Sequence, residues 1–132
     1  MMYDIMGSSR DVELAQLIGS FDSLPAEDPF PGVRRQCFTT ERATVSRYTF
    51  EPGAAFPLHR HPQEQTTLIL EGDVEMAIRD ERRALRAGDW SVVGPDVEHG
   101  ITAGAEGARI LAIVAPPRAR SDEYEIRAGG EA

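Results

Sequence analysis

The chain contains no lysine: all 14 of its basic residues are arginine. Schiff-base chemistry through a lysine amine is therefore excluded. Cysteine occurs once, at Cys37, so no intrachain disulfide can form. Nothing in the surrounding sequence marks that thiol as activated, and it reads as a small buried residue. Long hydrophobic runs are also missing, and no stretch approaches the ~18 apolar residues that a membrane helix needs. The opening residues lack the basic start and apolar run of a secretory signal, so a cytoplasmic protein is expected. Positive charge is in deficit, with 14 basic against 22 acidic residues and a net charge of −8. That is the wrong sign for a face that neutralises phosphates, or for docking on an anionic membrane. Neither nucleic acid nor membrane is expected as a partner, which leaves a small-molecule substrate. No linker, repeat or low-complexity tract divides the 132 residues, a length that closes a single core.

What is present is a series of short strands. Val33–Phe38, Ala43–Glu51, Phe56–His61, Thr66–Glu71, Asp73–Asp80, Arg82–Arg86, Trp90–Val93, Glu98–Ala103 and Ala108–Ala115 are short runs set apart by turn residues. Val74, Met76 and Ile78 alternate with Glu75, Ala77 and Arg79, the period of a half-buried strand. Glu71-Gly72-Asp73 and the break at Asp80-Glu81 read as tight hairpin turns. Strands at this spacing predict an all-β sandwich or barrel. Residues 1–31 differ in character. Ser8 or Ser9 is placed to cap a short helix over Asp11–Ile18, and Leu24–Gly32, with Pro25, Pro29 and Pro31, reads as extended. The barrel is expected over residues 32–117, and residues 118–132 form a polar tail with Tyr124 or Ile126 as its anchor.

All three histidines carry the functional signal. His59 and His61 stand two apart on an expected strand, which points both imidazoles to one face. Gln65 follows at the start of the next strand, and His99 arrives after the Gly94-Pro95-Asp96 turn. A barrel can bring that late residue beside the first pair, and three imidazoles with an amide oxygen suit a divalent first-row metal.

The spacing resembles the cupin superfamily. Gly53, His59, His61, Gln65 and Gly72 follow the first cupin motif, with Gln65 where the family carries Glu. Gly88, Gly94, Pro95, Asp96, His99 and Ala103 keep the spacing of the second motif. There Gly94 replaces Pro, Asp96 replaces Gly and Ala103 replaces Asn. Asp tolerates the left-handed turn conformation that Gly usually fills. The resemblance spans roughly residues 32–117. It implies an antiparallel double-stranded β-helix, the jelly-roll barrel of cupins, which the short N-terminal helix or extended segment read from residues 1–31 precedes. It also implies His59, His61, Gln65 and His99 as ligands to one divalent ion (zinc, nickel, manganese or iron), and a homodimer.

Gln65 is neutral, so a divalent ion here would keep its full charge, which favours polarising a carbonyl or enol oxygen. Glu64, next door, points the other way by strand alternation. The string from His59 to Gly72, and the ending Ala115-Pro116-Pro117-Arg118, are similar to the KdgF-type pectin-degradation cupins, which ketonise unsaturated uronates. In that group the last strand presents an Asp, a Phe and an Arg to the pocket. The matching positions here are Ala112, Val114 and Arg118. Ala112 cannot transfer a proton, so the resemblance supports the metal site and enolising chemistry, not the uronate. Ala112, Val114 and Ile110 predict a more apolar wall and a less hydrophilic substrate.

Arg118 is a candidate to pair a substrate carboxylate bidentately. Tyr48, on the strand before the first motif, is a candidate acid or a core tyrosine. Trp90 is expected to pack. The leading reading is a metal-dependent isomerase, lyase or cyclase acting on a small oxygenated substrate. An iron-dependent dioxygenase and a non-catalytic ligand-binding or sensing barrel stand beside it.

Overall fold

The computed structural model describes residues 17–119 and 124–127. A 3₁₀ turn at Phe21–Ser23 precedes nine strands: β1 Glu27–Phe30, β2 Val33–Thr39, β3 Thr44–Phe50, β4 Ala55–Arg60, β5 Glu64–Ile78, β6 Glu81–Arg86, β7 Trp90–Val93, β8 His99–Ala115 and β9 Glu125–Ile126. Every pairing among them is antiparallel. The expected all-β antiparallel barrel is the observed fold.

Two long strands organise it. The first half of β5 lies between β7 and the second half of β8, and its second half lies between β6 and the first half of β8. The second half of β8 also pairs with β3, and its first half with β4. Each long strand therefore serves two sheet faces and must bend between them. The bend falls where register slips between Ile69 and Glu71 and between Gly72 and Val74. Gly72 and Gly107 take φ of +76° and +78° there, and a Cβ at Gly72 would collide with the Gly107 carbonyl oxygen.

This corrects two expectations. Glu71-Gly72-Asp73 is not a hairpin turn but the corner of a continuous strand. Glu98–Ala103 and Ala108–Ala115 are likewise two halves of β8. A glycine bend and a hairpin turn share the same local signature, and only pairing with distant strands separates them. The hairpin expected at Asp80-Glu81 forms one residue earlier, at Arg79-Asp80, with Ile78 paired to Glu81 and Arg79 at φ 53°. The prolines at 25, 29 and 31 do not keep the early segment out of the sheet, because β1 pairs with β2 at the sheet edge, where a missing N–H is tolerated. The expected helix over Asp11–Ile18 lies outside the described residues except for Leu17 and Ile18, which are irregular and exposed.

The interior is filled by Val33, Phe50, Phe56, Ile69, Val74, Met76, Ile101 and Ile110, all buried. Among the described residues, no helix is long and apolar enough to cross a membrane.

Candidate metal centre

His59 owes its position to an irregularity in β4. The register against β8 runs from Phe56 opposite Ile101 to His59 opposite His99. Three steps on β4 thus match two on β8, a bulge that turns both Phe56 and His59 inward. Their rings lie 4.5 Å apart. His61 keeps the parity of His59, at 5.4 Å between rings. His99 opens β8 directly across from His59, at 4.3 Å, and stands 5.0 Å from His61. The turn before it is tied to this corner, since Asp96 N–H donates to the His61 carbonyl at 2.8 Å. Asp96 takes φ 60°, the left-handed conformation expected from its place in the motif.

Each imidazole is oriented by the backbone. Nδ1 of His59 lies 2.8 Å from the Pro57 carbonyl, that of His61 3.1 Å from Gln63, and that of His99 2.9 Å from Val97. A carbonyl only accepts, so each Nδ1 carries the hydrogen, and in a neutral ring Nε2 then carries a bare lone pair. The Gln65 amide nitrogen donates to Thr67 Oγ1 at 2.9 Å, which turns Oε1 towards the rings. Oε1 stands 3.0 Å from His61 Nε2 and 3.3 Å from His99 Nε2. With each ring hydrogen on Nδ1, these Nε2 atoms face the Gln65 oxygen as acceptors, an arrangement that a cation satisfies. Ligand atoms of the three histidines all lie within 4.8 Å of one another, close enough to converge on one ion. The donor set therefore fits a divalent first-row metal.

Electrostatics agree. Burial, followed by repulsion from His99, holds His59 well below its ordinary value of 6.5. Burial also lowers His61, aided by the positive charge of Arg118. His99 is pushed down to about 4, first by burial and then by His61. The rings are thus neutral at neutral pH, the form that ligates metal.

The histidines open on a cavity of about 20 Å³. Its walls include Tyr48, Phe56, Met76, Ile101, Ile110, Arg118 and Tyr124. The expected apolar character holds through Ile110. Ala112 and Val114 are buried further along β8, beside Ser46 and Thr44 of β3. Arg118 is buried rather than lying on the surface of a tail. Its N–H donates to Thr44 Oγ1 at 2.9 Å after the chain leaves β8 through a cis Ala115–Pro116 bond. Tyr48 is buried, and Arg35 stands beside it, with Cζ 6.0 Å from the ring centre. Burial raises the Tyr48 phenol, but Arg118 and Arg35 outweigh it, and its pKa falls below the ordinary 10.

Glu64 is exposed, as alternation requires, and Cys37 is buried with its thiol pushed up by burial. Trp90 does not pack: it is 67% exposed on β7. Three residues of the site went unrecognised in the sequence. Arg35 shares a face with Val33 and Cys37 at the strand period, and that period was its signal. Thr67 stands two residues from Gln65 on the same face of β5. Tyr124 was visible only as an aromatic in a polar tail.

Comparison with known proteins agrees with this fold. The family model described as Cupin domain matches residues 46–114. The chain is 27% identical over 100 residues to the pectin degradation protein KdgF of Dickeya dadantii (strain 3937), covering 74% of this chain and 91% of that protein. Among solved structures it is similar to KdgF from Halomonas sp., with a TM-score of 0.69 and 25% identity over 76% of this chain and 96% of that one. An RmlC-like cupin from Shewanella frigidimarina gives a TM-score of 0.72 at 24% identity, over 79% and 94% of the two chains. Oxalate decarboxylase from Lactobacillus farciminis shares the fold at a TM-score of 0.77 and 17% identity, over 87% of this chain and 37% of that chain.

Proposed function

The chain belongs to the cupin domain family, and on that premise we propose that it is a metal-dependent enzyme of the isomerase or lyase type. His59, His61, Gln65 and His99 hold one divalent ion, and a small oxygenated substrate is enolised beside it. The observation that carries this reading is the convergence of ligand atoms from His59, His61 and His99 within 4.8 Å of one another, with the Gln65 oxygen beside His61 and His99. When bound, the ion supplies Lewis acidity to a carbonyl or enol oxygen. Arg118 pairs with an anionic end of the substrate. Tyr48 gives or takes a proton at its phenolic oxygen, the task for which Ala112 has no group. Phe56, Met76, Ile101 and Ile110 keep water away from the reacting atoms.

The likeness to the pectin degradation protein KdgF supports carbonyl–enol chemistry. Phe56, Met76, Ile101 and Ile110 on the cavity wall argue for a substrate less hydrophilic than a uronate.

Metal analysis by mass spectrometry, on purified and reloaded protein, is the first test. About one ion per chain is expected, lost in His61→Ala. The loaded protein is then expected to exchange the α-protons of an enolisable keto acid or enone with deuterated buffer. Absence of any ion under every loading condition overturns the enzyme reading. Oxygen uptake by the ferrous protein without proton exchange replaces it with a dioxygenase.

A further inference from the structure

The cavity beside the histidines is narrow. At about 20 Å³ it has room for about one water molecule, whereas pockets that hold organic ligands run to roughly 300–1,000 Å³. His59, His61 and His99 are exposed by only 6%, 5% and 2%. Any organic ligand therefore requires one wall to move.

Most walls are locked. Tyr48 and Phe50 sit on β3, held between β2 and β8. Gln65 and Met76 sit on β5, which pairs with β6, β7 and β8, and Ile110 sits on β8 between β3 and β5. Arg118 is anchored to Thr44 through its backbone N–H. Tyr124 differs. It immediately precedes β9, two residues long, which adds to the outer edge of β4 through Ile126 opposite His59 and Glu125 opposite Arg60. Arg127 N–H to the Leu58 carbonyl, at 3.0 Å, extends this short ladder. From that position the Tyr124 ring reaches inward to 5.7 Å from His59, 5.4 Å from Phe56 and 6.3 Å from Phe30.

Among the described residues, the side-chain ion pairs that fasten this segment are polar and exposed. Arg60 Nη2 meets Glu125 at 2.8 Å, with the two side chains 55% and 71% exposed. Arg127 Nε meets Glu98 at 2.9 Å, and its Nη2 approaches the other oxygen of the same carboxylate. Exposed pairs of this kind hold weakly and are screened by salt. One ion pair ties the segment to β4 and the other to the turn before β8, so together they pin it across the end of the barrel where the histidines lie.

We infer that Tyr124–Arg127 is a gate over the histidine cavity, latched by Arg60–Glu125 and Arg127–Glu98, and that organic ligands reach the histidines when it unzips from β4. Tyr124 is its inner face and so a specificity-determining residue, since an entering ligand takes the space its ring vacates. The inference deepens the site reading above, but its test needs no metal.

The chain's three histidines all lie in this cavity, so their acylation by diethyl pyrocarbonate reports access to it alone. In metal-free wild type the rate is expected to lie far below that of the urea-unfolded chain and to rise with ionic strength. Glu125→Gln with Arg127→Ala is expected to raise it about tenfold and abolish the salt dependence. Tyr124→Ala is expected to raise it too, with Tyr124→Phe remaining close to wild type. Arg82→Ala, which breaks an exposed pair with Glu75 on β6 and β5, strands that do not pair with β9, is the control expected to change nothing. Arg60→Cys with Glu125→Cys, oxidised, is expected to lock the segment and suppress acylation until reduced, which guards against a latch variant that merely unfolds. The gate is overturned if wild type reacts as fast as unfolded chain, or if neither latch loss nor the lock changes the rate. A failure to bind metal leaves these rates unaffected, so the two readings fail separately.

Discussion

Gln65 Oε1 stands 3.0 Å from His61 Nε2 because Thr67 Oγ1 holds the other end of the amide. Thr67 has no exposed surface, so that bond has little competition from water. Thr67→Val keeps the shape and removes the partner, freeing the amide to rotate away. Divalent-metal affinity, measured by competition with a chelator, is expected to fall about 10–100-fold with the fold intact. Gln65→Glu adds a negative charge to the ligand set and is expected to bind the ion about tenfold more tightly. It is also expected to weaken proton exchange on the substrate, because the extra charge lowers Lewis acidity.

The buried imidazoles make the metal-free protein sensitive to acid. All three have folded pKa values below the ordinary 6.5, with His99 pushed down to about 4. The unfolded chain therefore binds protons before the folded chain does. Stability is full above about pH 6.5 and falls as pH drops from there towards about 4, with a slope of at most ~1.4 kcal/mol per pH unit for each histidine. Urea unfolding of metal-free protein at stepped pH should show this decline, and His99→Leu should flatten it. Bound metal is expected to raise stability and to extend the decline to lower pH without moving its onset near 6.5, since it keeps the folded rings unprotonated.

The site was more legible than the corner that builds it. His59 and His61 could be paired by strand parity, and Gln65 and His99 joined them through the spacing that resembles the two cupin motifs. The structure brings them together, although the bulge between Phe56 and His59 was not visible. That bulge exchanges no residue type; it changes only which distant residue lies opposite. The same holds for Gly72, where bend and hairpin look alike locally. Arg35 escaped notice because a charged residue in a strand is ordinarily read as solvent-facing. Here it lies inside, with Glu27 at 3.1 Å and only 3% of its side chain exposed.

Gly72 should be the least replaceable residue outside the site. An alanine there meets two independent obstacles, a φ of +76° and the Gly107 carbonyl oxygen in the space its Cβ would fill. Backbone cannot give way as a flexible side chain can. Gly72→Ala is expected to cost more than about 4 kcal/mol, the range of exceptional single substitutions. Gly53→Ala, at a similar φ of +73° but with nothing near its Cβ, should cost only about 1–2 kcal/mol. Equal thermal shifts for the two variants would show that conformation, and not the close approach, dominates at the corner.

Tyr48 carries the last prediction. Burial alone would raise its phenol above 10, yet Arg118 and Arg35 act on the same oxygen and reverse the sign. Arg35 is itself held in charged form by Tyr48 and Glu27 against the opposing effect of burial. A phenolate at this position is therefore stabilised by two guanidiniums inside the barrel. Alkaline titration followed by tyrosinate absorbance should reveal one tyrosine ionising below the ordinary range, absent in Tyr48→Phe. Arg35→Met should return that ionisation to a higher pH, because it removes a cation and leaves the burial. If the early-ionising tyrosine survives in Tyr48→Phe, the proton carrier of the proposed reaction must be sought elsewhere in the cavity, with Tyr124 the remaining phenol on its wall. If it disappears, Tyr48 has the acidity to exchange a proton with an enol, and loss of α-proton exchange in the metal-loaded Tyr48→Phe protein is the expected consequence.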